Sequence, residues 1–323
     1  MFFKFLMDTD FKFLAKRKMA VVFSGLLIVA SLGLFFTKGL NYGIDFKGGI
    51  SIEVGTTSPI PLADIRATVS KLGLGDVKVQ NYGENGTEAL IRIERQPGGA
   101  DEQNAAIELV KKELKEAIAG ISIRQQNVIG PNVSGELKRD GALAVTVAVL
   151  AVLVYIWFRF EWQFGLGAVI ALVHDVILTI GFFSLTGLEF NLSIIAAILT
   201  IVGYSLNDTV VVYDRVRENI RRYRKKSLEE VLDLSLNQTL IRTIMTSVTT
   251  LLALVALLFL GGPAIKGFTE AMIWGVVVGT YSSIFIASPV LMMFDLDTEA
   301  MIMDAAEDDP TVDKSSGNPF EHI

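Results

Sequence analysis

Ile198-Leu-Thr-Ile-Val-Gly203-Tyr-Ser-Leu-Asn207-Asp208-Thr-Val-Val-Val212 has the composition of a membrane-spanning helix, yet it holds an amide and a carboxylate side by side near one end. An ionised carboxylate in hydrocarbon costs at least a few kcal/mol. Asp208 therefore implies a partner group, a water-filled cavity or a proton to bind. The rest of the chain agrees with a membrane reading: of 323 residues 51% are hydrophobic, and the mean hydropathy is +0.48, which sets it apart from soluble globular proteins. Six stretches are long and apolar enough to cross a hydrocarbon core of about 30 Å. They are approximately Met19–Thr37, Ala142–Phe158, Phe164–Leu185, Leu192–Val212, Ile241–Leu260 and Phe268–Phe294.

The basic residues of the short loops set the orientation. Five precede the first span (Lys4, Lys12, Lys16, Arg17 and Lys18), and eight lie between Arg215 and Arg242, against none in Thr186–Asn191 and one in Gly261–Gly267. Both termini and the basic loop are thus expected on the cytoplasmic side. The first apolar run is followed by Thr37-Lys-Gly-Leu40, which lacks a small-residue cleavage pattern, so it reads as a retained span. The expected division is a cytoplasmic N-terminus at 1–18, a first span at 19–37, an exported hydrophilic domain at 38–140 and a five-span bundle at 141–294. That bundle contains a basic loop at 213–240, and an acidic tail follows at 295–323. The tail holds nine acids and one lysine, accounts for most of the net charge of −6, and reads as a disordered, solvated end. There is no cysteine, which excludes disulfides and thiolate metal sites.

In the exported region, Ile50-Ser-Ile52-Glu-Val54 alternates with period two, and Leu62, Ile65, Val69 and Leu72 recur at helical spacing. Val77-Lys-Val79 and Ala89-Leu-Ile91-Arg-Ile93 read as strands around a hairpin loop at Asn81–Thr87. Asp101–Ala119 reads as a helix closed by Gly120, and Ile121-Ser-Ile123 opens a last strand. The order β-α-β-β-α-β predicts a ferredoxin-like α+β domain. It contains no histidine and no cluster of ligands or nucleophiles, which favours a binding or moving domain over a catalytic one. Gly43-Ile-Asp45-Phe46-Lys-Gly48-Gly49 at its entry allows a tight turn or close backbone approach.

Three polar features lie within the spans: Asn207-Asp208 in the fourth, Arg242 with Thr246 and neighbouring hydroxyls in the fifth, and His174-Asp175 in the third. Asp208 and Arg242 fall in the same half of the bilayer. Two readings are open there: a static ion pair between helices, or a carboxylate that alternates between protonated and ionised states as Arg242 moves. His174-Asp175 fits polar packing or participation in a relay. Thr239, Arg242, Thr246 and Thr250 recur on one face of the fifth span and fit the lining of a hydrated path. Gly275-Val-Val-Val-Gly279 fits close helix packing. Arg215, Arg217, Arg221, Arg222 and Arg224 fit contact with anionic headgroups, ahead of a capping box at Ser227-Leu-Glu-Glu230.

These residues resemble the SecD/SecF family of protein-export membrane proteins, within the resistance–nodulation–division superfamily. The most specific element is Gly203-Tyr204-Ser205-Leu-Asn207-Asp208-Thr-Val-Val-Val-Tyr213-Asp214-Arg215-Val-Arg217-Glu218-Asn219. Asp45-Phe46-Lys-Gly48-Gly49, Phe158-Arg159-Phe160-Glu161-Trp162, Ala171-Leu-Val-His174-Asp175, Gln238-Thr-Leu-Ile-Arg242-Thr243 and Gly261-Gly262-Pro263 support it. The resemblance implies a non-enzymatic subunit in the bacterial inner membrane that uses the proton-motive force, with no bound cofactor or metal, in late preprotein translocation. It implies a SecD partner half, YajC, the SecYEG channel with SecA, and unfolded preprotein on the periplasmic side, with no nucleic acid. It places Asp208 at the family's intramembrane proton site and Arg242 at the arginine held to act on it; the residues themselves, read apart from the resemblance, add Asn207 and secondarily His174, Asp175 and Thr246 as proton-coupling candidates. One six-span bundle with one exported domain is half of the pseudo-symmetric superfamily architecture. The alternatives are a small-molecule exporter, against which the lone small domain argues; a scaffold; or a membrane hydrolase. The last lacks a zinc-site His-Glu-x-x-His or a Ser/Lys pair in any span.

Overall fold

The computed structural model describes residues 10–82, 86–294 and 296. The expected acidic tail lies outside the described residues but for Leu296, as does the N-terminal segment through residue 9. Among the described residues six helices are long and apolar enough to cross a membrane. The first span is Arg17–Lys38, the second Pro131–Arg159, the third Trp162–Thr186, the fourth Leu192–Arg222 and the fifth Leu228–Leu260. The sixth begins at Pro263–Ser282 and continues through Ser283–Ala287 to Ser288–Leu291. In their most apolar windows the third, fourth and sixth bury 56%, 44% and 67% of their residues, against 11%, 11% and 17% for the first, second and fifth. The inner three carry the buried carboxylates Asp175 and Asp208, and the outer three present apolar faces outward. That division follows from the cost of setting a polar group against hydrocarbon.

Several helices overrun the apolar stretches that reveal them. The second span has 29 residues, about 43 Å at 1.5 Å per residue, and its polar first turns stand clear of the apolar zone. The expected basic loop at 213–240 is helix on both sides, interrupted only at residues 223–227. Ser227 makes that sharp reversal possible by closing a capping box with Glu230. The sixth span widens into a π-helical turn at Ser283–Ala287 just before Pro289. Proline has no N–H to give to the carbonyl four residues back, and the displaced backbone bonds elsewhere: Ser288 Oγ donates to the Ser283 carbonyl (3.2 Å) and Tyr213 Oη to that of Ala287 (3.0 Å).

The extramembrane domain is built from β2 (Gly49–Gly55), α1 (Leu62–Ser70), β3 (Val77–Tyr82), β4 (Glu88–Ile93), α2 (Ala100–Ala117) and β5 (Ser122–Ile129), with β1 (Asn41–Tyr42) preceding it. The sheet order is β3-β4-β2-β5, antiparallel throughout, as a ferredoxin-like β-α-β-β-α-β chain requires. Ile50, Ile52, Val54, Ile91 and Ile93 point to the face covered by Ile65 and Val69 of α1 and Ile107, Val110 and Leu114 of α2. The alternate residues Ser51, Glu53 and Arg92 face a cavity of about 720 Å³ between the sheet and the bundle.

A strap joins domain to bundle. β1 pairs in parallel with β6 (Glu189–Phe190) in the turn between the third and fourth spans. Lys38 Nζ donates to the Leu185 carbonyl (2.7 Å) and Ser184 Oγ to that of Gly39 (2.9 Å). Asp45 Oδ2 accepts the backbone N–H of Leu192 (2.8 Å), so the carboxylate caps the first turn of the fourth span. Phe46 is buried among Tyr42 and Phe190. Gly48 and Gly49 then turn the chain into β2 at φ of +72° and +129°, and a Cβ at Gly49 would meet the Ile93 carbonyl at 2.6 Å.

Arg92 reaches from β4 to an ion pair with Glu189. Burial holds the Glu189 carboxyl above its usual range even though the Arg92 guanidinium acts to lower it. A group raised in the folded state contributes stability that is fully present below its unfolded value and is lost as pH rises through the folded one. The advantage of the native protein over a non-titrating Glu189→Gln variant should therefore shrink as pH rises from about 4 to 8. Thermal unfolding of both across that range checks this, and a pH-independent difference contradicts it.

Candidate functional site

Asp208 sits on the inward face of the fourth span, 3% exposed. Its Oδ2 is buried without a hydrogen-bond partner. From the fifth span Thr246 comes within hydrogen-bonding reach, and Arg242 lies near enough to act on the carboxylate electrostatically. Arg242 is itself exposed, and among the described residues no ion pair joins it to Asp208. The static ion pair, one of the two readings open from the sequence, is not formed in this conformation. Asn207, expected beside Asp208, projects elsewhere, because successive residues of a helix are about 100° apart. It is exposed with Ala196, Thr200 and Gly203 in a stripe of small and polar side chains.

The hydroxyls of the fifth span are more local than a continuous lining. Thr239 donates to the carbonyls of Ser235 and Leu236, Thr246 to that of Thr243, and Thr249 to that of Met245. Ser247 reaches across to Thr280 of the sixth span (2.6 Å). Thr243 Oγ1 remains buried and unpartnered, close along the helix to the Asp208 contact.

His174 and Asp175 belong to a separate polar centre, 2% and 1% exposed. Asp175 Oδ2 accepts Ser205 Oγ (2.6 Å) from the fourth span and Ser282 Oγ (2.7 Å) from the sixth, while Oδ1 faces His174 Nδ1 at 2.9 Å. Gly279 makes this junction possible, since its absent Cβ would lie 3.1 Å from that of Ser205. One helical turn away, a side chain at Gly275 would collide with Ile201. Ser205 therefore belongs to the Asp175 centre, whereas Tyr204 leaves its hydroxyl buried and unpartnered. Asp45, Phe46, Gly48 and Gly49 form the strap at the other end of the fourth span. In the sequence Ser282 is marked only by the Thr280-Tyr-Ser-Ser283 run, within a span that also holds Lys266, Thr269, Glu270 and Ser288.

At the bundle end away from the domain, Arg159 pairs with Asp214 (2.8 Å), Arg217 with Glu161 (3.2 Å) and Arg215 with Glu218 (2.7 Å). Arg222 and Lys226 lie over the Tyr223 ring. Arg215 and Arg217, expected on lipid headgroups, each make an ion pair within the protein and keep part of the side chain exposed.

An inner trio of spans carrying two buried carboxylates, strapped to one ferredoxin-like domain, defines a multi-pass membrane protein with an extramembrane α+β domain. The family model for the protein export membrane protein SecD/SecF C-terminal region matches residues 109–297, and that for the SecD/SecF GG motif matches residues 33–60. The chain belongs to the SecD/SecF family, on its SecF side, and is a translocase subunit of the Sec export machinery. It is 48% identical to the protein translocase subunit SecF of Rickettsia conorii over 88% of this chain and 92% of that one. It is 46% identical to that of Rickettsia prowazekii over 88% and 91%. The crystal structure of SecDF, a translocon-associated membrane protein from Thermus thermophilus, superposes with a TM-score of 0.80 at 36% identity, covering 89% of this chain and 39% of the other. SecDF in its super-membrane-facing form gives 0.65 at 34% identity, over 93% and 40%. The chain therefore spans well under half the length of these SecDF chains.

Gly279→Leu should force the fourth and sixth spans apart and cost about 1–3 kcal/mol. At Gly25 nothing lies within 4 Å of a built Cβ, so Gly25→Leu should leave thermal stability unchanged. Equal effects at the two positions would contradict this account of the junction.

Proposed function

We propose that the chain works with a SecD-type half to convert the proton-motive force into late movement and release of preprotein on the periplasmic side of the bacterial inner membrane. Both termini lie in the cytoplasm. The SecYEG channel with SecA supplies the preprotein, and YajC accompanies the pair. The subunit is non-enzymatic and needs no cofactor beyond the proton gradient. The observation that carries the reading is Asp208, a carboxylate buried in the bundle with one oxygen lacking any donor. Ionised, it leaves that oxygen unsatisfied in a low-dielectric interior; a proton on it removes the charge. Thr246 and Arg242 stand on the neighbouring span and both act on the carboxylate.

The fourth span gives this proton a mechanical route. Asp45 of the strap grips its outer first turn, and Asp208 lies about four turns further along the same helix. A shift of the fourth span against the fifth therefore moves the domain's anchor. The exposed stripe Ala196, Thr200, Gly203 and Asn207 suits close approach of a second bundle, in keeping with SecDF relatives more than twice as long.

In inverted membrane vesicles carrying the complex, Asp208→Asn should abolish the proton-gradient-stimulated part of preprotein translocation while the SecD-type partner still co-purifies. Full stimulation in the variant would overturn the proton role. Arg242→Lys should shift the pH dependence of proton flux, because a lysine places a more compact, differently reaching charge near the carboxylate. A superimposable profile would contradict the part given to Arg242.

A further inference from the structure

Asp175 differs from Asp208 in that both of its oxygens are occupied. Oδ2 takes two serine hydroxyls and Oδ1 faces His174 Nδ1. The imidazole is the unfinished part. His174 is 2% exposed, and its Nε2 is buried without a hydrogen-bond partner. With a proton on Nδ1 directed at the carboxylate, Nε2 carries a free lone pair. A histidine oriented by a carboxylate through one nitrogen, with the other left open, is arranged as a base.

The surroundings are sparse in charge. The Tyr281 ring of the sixth span lies 6.1 Å from that of His174, its hydroxyl engaged by Ser24 (2.9 Å) and by the Ala20 carbonyl (3.2 Å) of the first span. The fourth span contributes Ser205, and Asp208 follows three residues further along. Among the described residues no lysine or arginine forms an ion pair with Asp175; its one basic partner is His174 itself, which is charged only when protonated.

We propose that His174 and Asp175 form a second proton-binding site, in which His174 Nε2 takes up a proton and the resulting imidazolium is held by the Asp175 carboxylate. The inference rests on the proton-driven reading given above and adds a site to it. The balance is simple: a proton passes from a hydronium ion to Nε2, no other bond breaks, and the pair changes from net −1 to neutral. When the proton leaves to water, the pair returns to its anionic form. The hub joins the third, fourth and sixth spans through one carboxylate, so the charge on the pair sets how firmly Ser205 and Ser282 are held. Gly279, which brings Ser205 against the sixth span, also supplies a carbonyl to Ser282 Oγ at 3.1 Å, an alternative partner when the carboxylate's grip slackens.

The chain has two histidines, His174 and His322, so His322→Gln leaves a single imidazole to observe. Nitrogen-15 histidine NMR of the full chain in lipid nanodiscs should show Nδ1 protonated and Nε2 bare at high pH, with a second proton on Nε2 once the pH is lowered. Asp175→Asn should change the proton occupancy of Nε2 at a given pH. Ser282→Ala, which removes one hydroxyl and leaves the packing nearly intact, should change it as well, so a misfolded Asp175 variant does not remove the test. An imidazole that stays in one neutral form as the pH is lowered, or one with its proton on Nε2 at high pH, overturns the proposal. The two sites fail separately. Titration of His174 that persists in Asp208→Asn supports an independent site, whereas its disappearance there assigns the change to Asp208 and rejects a second one. If Asp208→Asn leaves export intact while His174 titrates, the Asp208 reading fails and this one stands.

Discussion

A carboxylate inside a bilayer must find its hydrogen-bond donors within the protein, because hydrocarbon offers none. This constraint draws the third, fourth and sixth spans together. Asp175 has collected donors from three helices and binds them to one another. Asp208 lies beyond Ser205 on the same fourth span and retains an oxygen without a partner. One aspartate is satisfied as an anion by fixed hydroxyls, while the other is incomplete until a proton or a neighbouring group arrives. Small residues at Gly275 and Gly279 let the backbones come close enough for short serine side chains to reach Asp175. The apolar outer spans then close around a polar interior.

The fourth span links this interior to the extramembrane domain. Its first turn is capped from the strap by Asp45, its middle is held by Asp175 through Ser205, and its far end is tied by the Asp214–Arg159 and Arg217–Glu161 pairs. Exposed ion pairs such as Arg159–Asp214 contribute little individually, so the far end is the more easily loosened. The buried hub and the strap are the firmer attachments. Arg92–Glu189 adds a second hold between sheet and turn, in a place reached by the solution outside the bilayer.

Much of this was legible in the sequence, for identifiable reasons. Hydropathy marks the spans because lipid and core both select apolar side chains. The period-two alternation at Ile50–Val54 and the helical spacing at Ile65 and Val69 mark opposite layers of the domain. The basic segment at 213–240 reads as a loop because helices that project past the bilayer turn charged while remaining helical. Asn207 was grouped with Asp208 because adjacency in sequence conceals a turn of about 100° around the helix. Ser205 and Ser282 are hard to recognise because a serine in an apolar helix usually bonds its own backbone; only the fold shows these two reaching Asp175. The Asp208–Arg242 relationship was visible as a shared depth, but not the distance that keeps it from being an ion pair here.

The central claim is that Asp208 gains and loses a proton as the machine works. Infrared difference spectroscopy on the complex in lipid vesicles, recorded as a transmembrane pH gradient is imposed and collapsed, reads this directly. A protonated-carboxyl band should appear and disappear with the gradient, shift in deuterium oxide and be missing from Asp208→Asn. A gradient-dependent spectrum with no band that depends on Asp208 would contradict that claim.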